Sequence, residues 1–108
     1  SSSDERLKEN ITDTKVNGLD SINSLRLRQF NWTEQSRRGS DLVKLGLVAQ
    51  EVSSSNDIYD IVSNLGEFEC KDGTKIDDLK GVGWSGIIPF LVKAIQELSA
   101  KVTALENA

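Results

Sequence analysis

Histidine is absent from the 108 residues. Its absence removes the Ser-His-Asp and Cys-His routes to a hydrolytic nucleophile, and the commonest zinc ligand with them. Cys70 is the single cysteine, so no disulfide can form within the chain, and the residue suits a reducing compartment. It reads as a small half-buried strand residue rather than a reactive thiol. Aromatic residues make up 6% and apolar residues 37% of the chain, so the core is small and partner chains are expected to complete it. No apolar run is long enough to cross a membrane. The net charge of −4, from 13 basic and 17 acidic residues, argues against nucleic acid and acidic membranes as partners. The phosphate-loop, dinucleotide and calcium-loop patterns are missing too, and Asp77-Asp78 reads as a loop pair. No metal and no cofactor is expected.

What is present is concentrated at the two ends. From Trp84 to Ala108, Ile88, Leu91, Ile95, Leu98, Val102 and Leu105 recur with alternating gaps of three and four. That spacing is a heptad seam, with β-branched residues at a and Leu at d. Each such side chain is worth about 1.5–3 kcal/mol when fully buried, so the seam calls for identical partners. The single proline, Pro89, is tolerated in a first helical turn and not deeper, so the helix should start near Gly86 or Ile87. The a/d choice alone favours parallel dimers. Val92 and Ala94 widen the stripe beyond what two strands need. Lys101 and Glu106 occupy g and e positions that can pair between chains.

The opening, SSSDERLKENI, supports two readings. In one, Ser2 caps a helix and Glu5 completes a capping box. In the other, Ser3 is a nucleophile and Lys8 its base, one of the few hydrolytic arrangements open to a chain without histidine. Five residues of strand would separate the two by about 17 Å, and a regular helix would point them to opposed sides. The segment must turn sharply, or the lysine must come from a neighbouring chain. An ordinary lysine has a pKa near ~10.4, and lowering it by about three units costs about 4 kcal/mol. Desolvation can supply such a shift.

Between the ends, the pattern predicts a short helix after Asn17-Gly18, with Leu19, Ile22 and Leu25 on one stripe and Asp20 or Ser21 near its start. Strands are expected over 27–34, with Phe30 and Trp32 on one face as core residues, over 43–52, ending in one turn at Ala49–Val52, and over 58–63. Gly46 marks a bulge or a close backbone approach. Asp72-Gly73 is a hairpin turn within 67–78. Loops are expected at 35–42, with Arg37 and Arg38 solvated, and at 53–57. Gln50 and Glu51 could line a site, though one glutamate near a strand end is more often a cap. The fold class is α+β: a small sheet and hairpin domain over 1–83 with short helices, then a long C-terminal helix over 84–108 forming a coiled coil.

Three stretches resemble one family. The opening Ser3-Asp4-Glu5-Arg6-Leu7-Lys8 followed by Ile11, the block Leu45-Gly46-Leu47-Val48-Ala49-Gln50-Glu51-Val52, and Gly83-Trp84-Ser85-Gly86-Ile87-Ile88-Pro89 leading into the last helix are similar to the C-terminal intramolecular chaperone domain of bacteriophage tailspikes and tail fibres, peptidase family S74. The resemblance implies a homotrimer that holds the preceding fibre or tailspike segment of the same chain while it folds. It implies a cut at the Ser3–Asp4 step, with Ser3 as nucleophile and Lys8 as base, in the host cytoplasm during virion assembly, and release from the mature tail. Attack by Ser3 on its own preceding carbonyl would cut between Ser2 and Ser3 instead. A non-catalytic trimerisation or receptor-binding tip is the rival reading. A fragment of a membrane-bound transcription factor of the myelin-regulatory type is a weaker one.

Overall fold

The computed structural model describes residues 2–52 and 57–108. The loop expected at 53–57 lies outside the described residues except for Asp57. The architecture is α+β, as the sequence pattern predicts: three two-stranded antiparallel sheets, two short helices and one long one.

Helix α1 spans Gly18–Asn23 and is capped by Asn17, whose side chain accepts the Asp20 amide at 2.9 Å. The cap is thus Asn17, one turn earlier than the Asp20 or Ser21 start expected. Ser21 is fully buried, and its hydroxyl donates to the Asn17 carbonyl at 2.8 Å, so no polar group is left unpaired there.

Strand β1 (Arg28–Asn31) pairs with β2 (Leu42–Gly46), with an irregularity between Arg28 and Phe30. Gly46 is the close approach the sequence announced: a Cβ there would sit 2.5 Å from Phe30 Cε2. Trp32 falls just past β1, edge-on to Phe30 with ring centroids 5.3 Å apart. Helix α2 (Ala49–Val52) is the single turn anticipated after that strand.

The strand expected over 58–63 is mostly a 3-10 turn, Asp57–Ile61, with strand β3 only at Val62–Asn64. Ile58 and Ile61 are both buried, and three-residue spacing puts them on one side of a 3-10 turn, where a strand would have split them. β3 pairs with β6 (Lys80–Val82), and β4 (Phe68–Glu69) with β5 (Lys75–Ile76) around Gly73, whose φ of 86° needs a glycine.

Val52, Ile58, Ile61 and Ile87 form the buried cluster, with Ile22, Leu25 and Phe90 packed against it. A 3-10 turn, Trp84–Ile87, leads into helix α3, Ile88–Glu106, with Pro89 in its first turn. α3 docks on α1 through Ala94 and Glu97. The Glu97 carboxylate accepts the Gly18 amide at 2.8 Å and the Leu19 amide at 3.1 Å. Lys93 reaches the same carboxylate at 3.3 Å. From Leu98 onward every residue of the chain is exposed.

Candidate functional site

The Ser3–Lys8 geometry follows from one short turn. Asp4 and Lys8 are extended, and between them Glu5–Leu7 makes a single 3-10 turn closed by Leu7 N–H to Asp4 O and Lys8 N–H to Glu5 O. The chain therefore bends once within the stretch, and Lys8 Nζ lies 2.7 Å from Ser3 Oγ in the same chain. This is the sharp turn that the spacing demanded if the lysine was not to come from a neighbour. The cap is Asp4, not Ser2: its carboxylate accepts the Arg6 amide at 2.9 Å. The same carboxylate takes Arg6 Nε at 3.0 Å and Nη2 at 2.7 Å. The Arg6 guanidinium, then the Arg6 amide, hold the Asp4 carboxyl below its ordinary value, and Asp4 raises that of Arg6 in return.

In this arrangement Nζ donates and Oγ accepts. Proton abstraction needs the reverse, a neutral amine accepting from the hydroxyl. Burial is what discharges a lysine. Ser3 and Lys8 are both exposed in the single chain, as is every described residue up to Lys15. Lys8 Nζ and Ser3 Oγ are within hydrogen-bond distance, and the described residues of the single chain leave both exposed.

The six seam residues lie on one flank of α3, roughly a third of a turn from the face that meets α1. All are exposed, from 42% for Leu91 to 76% for Leu105. Val92 extends the same surface at 51%. Docking on α1 thus uses Lys93, Ala94 and Glu97, Phe90 packs on the buried cluster, and the heptad face is left open.

Three polar side chains have partners that the sequence pattern does not show. Arg37, exposed as expected, also donates to the Glu69 and Cys70 carbonyls at 2.8 and 3.3 Å and ties its loop to the β4–β5 hairpin. Arg38 lies 5.5 Å above the Trp32 ring. Glu51 is paired with Arg28 at 3.1 Å and with Arg26 at 3.7 Å. An open apolar cleft of about 780 Å³ runs between the β1–β2 hairpin and the β3–β6 pair, with Phe30, Trp32, Leu45, Leu65 and Trp84 in its walls. Phe30 and Trp32 are expected in the core, and alternation alone carries no sign that their face stays open. Among the described residues no group of His, Cys, Asp and Glu could hold a metal ion. No helix of the described residues is long and apolar enough to cross a membrane.

No curated protein matches the chain closely enough to count as a relative. A family model described as Peptidase S74, chaperone of endosialidase, matches residues 3–61. The match is more than half of the chain, takes in both Ser3 and Lys8, and runs through the Leu45–Val52 block. The chain belongs to the peptidase S74 family, the chaperones of endosialidase.

Proposed function

We propose that this chaperone domain assembles as a homotrimer along the α3 seam, steadies the preceding segment of its own polypeptide while that segment folds, and then cuts itself free at Ser3. The observation that carries the reading is the 2.7 Å contact between Lys8 Nζ and Ser3 Oγ within a single chain. The family match supports the chaperone role, and the open seam supports assembly.

The chemistry is that of a Ser-Lys endopeptidase with one turnover. Neutral Lys8 takes the proton of Ser3 Oγ, and the oxygen attacks a flanking carbonyl carbon. The C–N bond breaks, and the departing amine takes the proton from Lys8. Water then hydrolyses the ester left on Oγ. The cut falls at one of the two bonds flanking Ser3, and the mass of the released piece tells which. Assembly gates the reaction. Three chains packed at the seam cover surface that one chain leaves bare, and that cover lets Lys8 lose its charge. No metal or cofactor takes part. A phage tail fibre or tailspike is the client that fits the family resemblance, which would place the reaction in the host cytoplasm before release from the tail.

The test is the full-length chain with its upstream sequence, run on denaturing gels beside a sizing column as wild type, Ser3→Ala and Lys8→Ala. Cleavage in the wild type alone, with a trimeric mass in all three, is the expected result. An uncut trimer in every case would leave a folding or receptor-binding tip whose first residues only start a turn.

A further inference from the structure

The turn that brings Lys8 to Ser3 has little to hold it. Three residues of 3-10 helix with two backbone hydrogen bonds are weak in isolation, and no residue of this turn is buried. The backbone is extended on both sides, so the separation of Ser3 and Lys8 is set by this one bend. What restrains the bend is Asp4, whose carboxylate takes one backbone and two guanidinium N–H groups from Arg6. A two-pronged guanidinium–carboxylate contact is both stronger and more directional than a single neutral hydrogen bond. Its backbone arm is the cap that starts the turn.

We infer that Asp4 and Arg6 form a clamp that positions Lys8 on Ser3, which makes both of them positioning residues for the self-cutting reaction proposed above, on which the inference rests. The side chains of Asp4 and Arg6 take no part in the proton transfer. Their pair is solvent-exposed, with side chains 41% and 84% accessible, so it adds next to nothing to the stability of the fold. Its value is geometric. A displacement of about 1 Å in a reacting pair is enough to slow a reaction about a hundredfold. The clamp thus separates rate from stability: its loss slows cutting and leaves folding and assembly as they were.

The test has two readouts. In the full-length chain, Arg6→Ala and Asp4→Ala slow cleavage about ten- to a hundredfold, with melting temperature and trimer mass unchanged. Asp4→Asn, which still caps the turn, recovers part of the rate. The pH of half-maximal rate stays where it is in the wild type, since the base is the same. The second readout needs no cleavage. In chains carrying isotope-labelled lysine, Ser3→Ala moves the Lys8 side-chain resonance, and in an Arg6→Ala background it does not. An Arg6→Ala trimer that cuts at the wild-type rate, or whose Lys8 resonance still answers to Ser3→Ala, overturns the clamp. If the wild type never cuts but the Ser3–Lys8 coupling is present and depends on Arg6, the clamp stands and the self-cutting reading falls.

Discussion

The two ends of this chain are both bare, and they are bare in opposite ways. At the N-terminal end the geometry is complete and the cover is missing. Six residues, Ser3 to Lys8, bring a hydroxyl and an amine to 2.7 Å with no help from the body of the protein. At the C-terminal end the pattern is complete and the geometry is missing. Leu98 to Leu105 continue a heptad whose residues stay exposed in the single chain. The contrast separates two requirements of the proposed self-cutting reaction. Placement of Lys8 on Ser3 is a local property, set by one 3-10 turn. Burial of those groups is a collective property, and the seam is where other chains would supply it.

The sharpest way to break the comparison is to disable one end and watch the other. Leu98→Asp puts three unpaired charges into the core of a trimer, at a cost of several kcal/mol on top of the ~1.5–3 kcal/mol per lost leucine. It should yield monomers on a sizing column. Lys8→Ala removes the proposed base and leaves the seam alone. Cleavage should fall by about two to four orders of magnitude with the trimer unchanged, measured as the first-order rate on gels. Co-expressing Ser3→Ala with Lys8→Ala sharpens the local half of the account. Lys8 reaches Ser3 within one chain, so mixed trimers should stay uncut; restored cleavage would mean that lysine is donated between chains.

Smaller effects belong to the joint between the ends, where α3 meets α1. A Cβ on Gly18 would lie 2.6 Å from the Ala94 backbone nitrogen, an atom that cannot move aside. Gly18→Ala should cost about 1–3 kcal/mol by thermal or denaturant unfolding. Glu97 gives the gentlest handle. The Leu19 amide, then the Gly18 amide, with Lys93 adding to them, hold its carboxyl below the ordinary value of 4.5. A depressed carboxylate stabilises the fold fully above its unfolded value, and that contribution is lost as pH falls through the lower folded value. Melting temperature should therefore decline in acid below about pH 4.5. Glu97→Gln should lower it at neutral pH and flatten that decline. Scans of both proteins against pH check this.

Much of this could be read from the residues, and the failures have physical causes. The seam, the Asp72-Gly73 hairpin, the helix after Asn17 and the tight spot at Gly46 all follow from spacing or from a glycine's missing side chain. The Ser3–Lys8 pair was legible as chemistry but not as geometry, because five-residue spacing fits neither a strand nor a helix. What solves it is an Asp4–Arg6 contact two residues apart, and no periodic pattern announces such a contact. Ile58 and Ile61 were read as strand because a short apolar run has no period of its own. Glu97 lies off the heptad seam, and no pattern in the helix singles it out. Its role as a cap for α1 depends on the docking of α3, which a linear pattern does not contain.

The central claim is that cutting waits for assembly, and one rate tests it. The full-length chain carrying Leu98→Asp should be followed for cleavage beside the wild type at the same concentration, with the Ser3–Lys8 coupling read by spectroscopy in both. The account predicts monomers that keep the coupling between Ser3 and Lys8 and do not cut. Monomers that cut at the wild-type rate would contradict it, and would mean that the N-terminal turn needs no cover at all.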